Sequence, residues 1–66
     1  MIGAVVSYDG RRGAIAPDAG GDAIAVFASE VERAGFAGLA RGDRLSFDVK
    51  SDRALGRTFA VNLRRL

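Results

Sequence analysis

Apolar and polar residues alternate along this chain in short stretches separated by glycine-rich breaks, the pattern of half-buried β-strands joined by tight connections. Ile2 to Tyr8 is apolar and rich in β-branched residues, which predicts a first strand. Ala14 to Ala16 predicts a short second strand, halted by Pro17. The run Asp18-Ala19-Gly20-Gly21-Asp22 reads as a turn, because glycine adopts positive φ at no steric cost. Beyond it, Ala23 to Ala28 predicts a third strand, with Ile24 and Val26 on one face and Ala23, Ala25 and Phe27 on the other. The strands on either side of Gly20-Gly21 form the simplest hairpin in the chain.

Ser29-Glu30-Val31-Glu32 then reads as one helical turn, its leading N–H groups capped by the Ser29 hydroxyl, with Glu32 three residues later. Arg33 to Asp43 carries Gly35, Gly38 and Gly42 without a clean period and reads as a long loop. Arg44 to Ser51 alternates, placing Leu45, Phe47 and Val49 inward and Ser46, Asp48 and Lys50 outward. Asp52 to Arg57 is a turn, and Thr58 to Leu63 alternates again with Phe59, Val61 and Leu63 on one face. The expected core is Val5, Ile15, Ile24, Val26, Val31, Leu45, Phe47, Val49, Phe59, Val61 and Leu63. Five short strands with one long connection between the third and fourth predict an all-β domain, a small five-stranded OB-type Greek-key barrel. Closure removes the strand edges that a chain this small cannot otherwise protect. An SH3-like barrel of similar size fits the same spacing.

Composition narrows the chemistry more than the fold. Sixty-six residues predict one domain, residues 1–66, near the lower limit for independent folding. The chain has no cysteine and no histidine, which removes disulfides, the common zinc and iron ligand sets, thiol nucleophiles and imidazole bases. Its eight carboxylates and one lysine are spread singly, so the expectation is a protein that is not an enzyme and uses no cofactor. Asp18 and Asp22 flank Gly20-Gly21 without the remaining ligands of a calcium loop. Gly10 and Gly13 fit neither a P-loop nor a dinucleotide fingerprint. No apolar run approaches a transmembrane length and Met1-Ile2 does not open a signal peptide, so a cytoplasmic protein without a membrane partner is expected. The net charge is only +2, but the cations are nine arginines and a single lysine. Arginine's planar fork suits phosphates and bases, although a GC-rich genome produces the same bias.

Five stretches in order resemble the bacterial cold-shock protein family. Gly3-Ala4-Val5-Val6-Ser7-Tyr8-Asp9 resembles that family's opening G-x-V-K-W-F-N, and Gly13-Ala14-Ile15-Ala16-Pro17-Asp18 resembles G-F-I-x-P-D. Val26-Phe27-Ala28-Ser29-Glu30-Val31 resembles V-H-F-S-x-I. Gly35-Phe36, Leu39, Gly42 and Leu45-Ser46-Phe47 follow the spacing G-Y-x-x-L-x-x-G and V-x-F, and Ala60-Val61-Asn62-Leu63 resembles the closing A-x-N-V. The likeness covers Gly3 to Leu66.

The resemblance implies binding of single-stranded RNA or DNA on an open face, where aromatic side chains stack on bases. Each such stack is worth about 1–3 kcal/mol with little sequence preference. Here Ser7, Arg12, Ala14, Ala25 and Ala28 stand where the family carries aromatics, and the segment between Tyr8 and Gly13 is shorter. Phe27 stands where the family has histidine. The expected nucleic-acid-binding residues are Tyr8, Arg11, Arg12, Phe27, Phe36 and Arg57, with binding that is weak and led by electrostatics. The alternative is a protein-interaction or dimerising module in which Val6, Ala14, Ala16, Ala25 and Phe27 form an apolar patch, with a homodimer as one outcome.

Overall fold

The computed structural model describes residues 1–66 as five strands and one short helix: β1 Ile2–Tyr8, β2 Arg12–Pro17, β3 Ile24–Phe27, α1 Ala28–Arg33, β4 Arg44–Asp52 and β5 Arg57–Arg65. The sheet closes on itself in the order β1-β2-β3-β5-β4, a small OB-type barrel. All pairings are antiparallel except the junction of β3 with β5. The expected hairpin forms, with β2 and β3 paired from Arg12↔Phe27 to Ile15↔Ile24 and positive φ at Gly20 and Gly21. Several strands run longer than their alternation suggested: β2 begins at Arg12, and β5 extends from Arg57 to Arg65.

Eight side chains fill the interior: Val5, Ile15, Val26, Val31, Leu45, Phe47, Ala60 and Leu63. Ile24, expected in the core, is half-buried and packs against its margin. Phe59 and Val61 are half-buried too, and Ala60 points inward in their place. The cause is a bulge in β5. Ser46 pairs with Arg64 and Asp48 with Val61, so the chain on β5 spends one extra residue there. Asn62 absorbs it with φ +52°, and its Nδ2 donates to the Asp48 carboxylate at 2.9 Å. The bulge reverses the strand's facing, so Ala60 and Leu63 both turn inward while Phe59 turns outward. Val49, also expected inside, is exposed, because beyond Phe47 β4 has β5 as its only partner.

A second bulge lies in β1, where Val5 pairs with Ile15 and Ser7 with Ala14, leaving Val6 unpaired with β2 and exposed. The Val5 backbone instead holds the long loop: its N–H donates to the Asp43 carbonyl at 2.9 Å, and its carbonyl accepts from Gly42 N–H at 2.8 Å. The helix starts two residues earlier than a Ser29 cap predicts, and Ser29 does not cap it. Phe27 stands at the cap position in extended conformation, and the Ala28 N–H donates to the Arg11 carbonyl at 2.8 Å. Ser29 is thus the second residue inside the helix and stands past the position from which a side chain could cap it. Val31 carries α1 into the core.

Two features of the β1–β2 hairpin are open to test. Gly13 faces Tyr8, and a Cβ built there lies 2.1 Å from the Ser7 carbonyl oxygen. Gly13→Ala is therefore expected to destabilise the fold by about 1–3 kcal/mol, read as a lower urea midpoint; an unchanged midpoint contradicts the close approach. In the turn, the Asp9 carboxylate accepts the Arg11 and Arg12 N–H groups, each at 2.9 Å. These bonds, Arg12's foremost, hold the Asp9 pKa below its ordinary value of 3.8. A lowered folded pKa means the turn's stabilisation is complete above that ordinary value and is lost as pH falls through the lower folded one. NMR titration should give Asp9 a midpoint below that of an unstructured aspartate, with the Arg11 and Arg12 amide signals moving in step.

Candidate functional site

Strand alternation sorts β2 into Gly13, Ile15 and Pro17 facing in and Arg12, Ala14 and Ala16 facing out. Residues directly opposite in neighbouring strands share a face. Ser7↔Ala14 and Ala14↔Ala25 thus lay small side chains in a row across β1, β2 and β3 on the outer surface. On the same surface Arg12 stands directly across from Phe27. The parallel junction sets Phe59 beside Ala25, and the Phe27 and Phe59 rings meet edge to face with centroids 6.1 Å apart and planes at 69°. Lys50 pairs with Phe59 from the other side.

The structure brings most of the expected site residues together. Tyr8 and Arg12 line one shallow open groove with Ser7, Asp9, Gly13 and Ala14. Tyr8 rests against the core while remaining partly exposed. Arg11 is exposed in the adjoining turn, its backbone fixed by Asp9 and by α1. Arg57 opens β5 opposite Asp52 and lines a second open groove with Asp22, Ala25, Arg53 and Thr58. The two ion pairs of the chain are Arg44–Asp18 and Arg65–Asp43, so Arg11, Arg12 and Arg57 are free of carboxylate partners.

Phe36 is held differently. It packs against the core, and the Arg65 guanidinium carbon lies 4.7 Å over its ring centroid. Arg65 is itself fixed by the Asp43 carboxylate at 3.2 Å and the Gly38 carbonyl at 3.3 Å. Asp43 also accepts the Ala40 N–H at 2.9 Å; that bond first, and Arg65 second, lower its pKa. Arg65 lies six positions beyond Phe59 on β5, roughly 20 Å of extended chain. Phe36 therefore belongs to the opposite end of β5 from the paired rings.

Phe59 is the surface aromatic that the alternation pattern missed, since period-two reading from Leu63 places it inside. The available signal was Asn62, a residue type that tolerates left-handed backbone and so marks a bulge. The structure contains no group of three or more side chains suited to hold a metal ion, and no helix long and apolar enough to cross a membrane.

No family model matches the chain. It is 42% identical over 52 residues to the cold shock protein CspA of Rhizobium meliloti (strain 1021), a span covering 79% of this chain and 75% of that protein. The ordered motifs, the five-stranded closed sheet and this identity agree, and the chain belongs to the cold-shock protein family.

Proposed function

We propose that the protein binds single-stranded RNA or DNA on the outer face of β1, β2 and β3, stoichiometrically and without catalysis. The observation that carries this reading is the cross-strand pair Arg12↔Phe27: an aromatic ring beside an arginine that makes no ion pair with a carboxylate. A base stacks on the Phe27 ring, and the Arg12 plane either stacks on a neighbouring base or pairs with phosphate. Arg11 in the turn and Arg57 at the second groove meet further phosphates, and Tyr8 borders the first groove. Phe36 contributes a ring face once Arg65 swings away from it.

The affinity is low by construction. Ser7, Ala14 and Ala25 supply a flat floor where aromatic rings are absent. Three missing stacks at about 1 kcal/mol each weaken binding on the order of a hundredfold. Phosphate contacts then carry a large share of the affinity and make it strongly salt-dependent. A second reading rests on the same floor. With Val6 41% exposed nearby, the small-residue face offers a surface for a homodimer or a protein partner.

Fluorescence anisotropy of a labelled mixed-sequence single-stranded oligonucleotide tests the proposal. Binding is expected at low salt and should weaken linearly in log-log form as salt rises. Phe27→Ala should weaken it by about 1 kcal/mol or more, roughly fivefold. Absence of binding up to high micromolar protein overturns the proposal. Sedimentation showing a dimer that Phe27→Ala dissolves then selects the second reading.

A further inference from the structure

Phe59 and Lys50 have no part in the binding face inferred from the sequence, where one was assigned to the core and the other to an ordinary solvated position. The structure sets them in an oblique row with Arg12 and Phe27: Phe59 and Lys50 continue the line of Ser7, Ala14 and Ala25, and Arg12 and Phe27 stand one pair further along the strands. Arg12 on β2 faces Phe27 on β3, Phe27 meets Phe59 on β5, and Phe59 faces Lys50 on β4. The row crosses three inter-strand steps with a two-residue offset between Phe27 and Phe59, about 16 Å in all, and reads cation, ring, ring, cation. Neither Arg12 nor Lys50 has a carboxylate partner.

The ring geometry limits what the centre of this row can accept. With planes at 69° the rings form a corner and not a shelf. A flat base lies against one wall and presents its edge to the other, so the pair seats one base where two coplanar rings would seat two. Ala25, opposite Phe59 and two residues before Phe27 on β3, is small enough to leave that side of the corner open. The flanking cations have the charge to meet the phosphates on either side of that base.

Resting on the single-strand reading above, we propose that Phe27 and Phe59 form one two-walled seat for a single base, with Arg12 and Lys50 taking the neighbouring phosphates. The nucleic-acid strand therefore crosses the β-strands from β2 to β4, and the base-contacting centre lies on β3 and β5. The bulge at Asn62 makes this possible by turning Phe59 outward.

The chain contains no tryptophan, so Phe59→Trp places a sole indole reporter in the seat. Oligonucleotide titration should quench the indole emission of that variant with the same midpoint as the anisotropy of a labelled single strand. Phe27→Leu and Phe59→Leu keep apolar bulk and should each weaken binding on the order of fivefold. The double variant should weaken it by less than the product of the two, because both rings hold the same base. Lys50→Ala should lower the salt slope by about 0.7, one phosphate contact on a single strand, whereas Phe59→Leu should leave that slope unchanged. If the Phe59→Trp variant binds the oligonucleotide with its indole emission unmoved, the seat is overturned and the general reading stands. A Phe59→Leu variant of full affinity has the same consequence. Multiplicative losses in the double variant overturn the shared base. No anisotropy change with the unaltered chain overturns both.

Discussion

The left-handed backbone at Asn62 is the constraint on which both the core and the outer face depend. A regular β5 would carry Phe59, Val61 and Leu63 to one side, and that side would be the interior. The interior is already filled by Phe47, Leu45 and Val26, each almost wholly buried. Two further large side chains from β5 would overpack it. One extra residue, placed where asparagine accepts positive φ and Asp48 anchors its amide, lets Ala60 enter the barrel instead. A small residue faces the crowded interior, and the large ring beside it in sequence goes to the surface.

Much of the fold was legible because alternation is a direct record of which face is buried. Leu45 and Phe47 on β4, Ile15 on β2 and Val26 on β3 all lie inside as their period requires. The departures on β4 and β5 share one cause: alternation by itself carries no record of a bulge or of where a strand loses its second neighbour. The bulge at Asn62 displaced Phe59 and Val61. The projection of the β4–β5 hairpin beyond β1 exposed Val49, whose side of the strand was correctly inferred but whose depth was not. Ser29 failed for a different reason. Capping propensity describes the residue just before a helix, and here α1 begins at Ala28, which leaves Ser29 inside it.

The candidate site was legible in part, and the division follows from the range of the interactions involved. Arg12 and Phe27 meet through the β2–β3 hairpin, a local pairing whose register follows from the intervening turn. Arg57 and Phe59 reach the same surface only through the parallel junction of β3 with β5, which no local pattern encodes. The Arg65–Phe36 contact also joins the loop to the last strand, and one-dimensional spacing gives no means to foresee that the ring would be covered.

These observations separate two properties that the cold-shock fold combines. Residues facing inward determine whether the sheet closes, and residues facing outward determine what the closed sheet binds; away from the bulges in β1 and β5 the two sets alternate along each strand. Replacing outward rings by Ser7, Ala14 and Ala25 removes no core contact, so the barrel tolerates it. Gly13 and Gly3 show the converse, since a Cβ at either position would collide with a neighbouring strand's backbone whatever the outer face carries. Closure of this sheet is therefore carried by glycines, core side chains and a bulge. In the proposed reading, the strength and position of ligand binding depend on a few exposed groups, here arginines and rings nearer the β3–β5 junction than the β1–β2 hairpin.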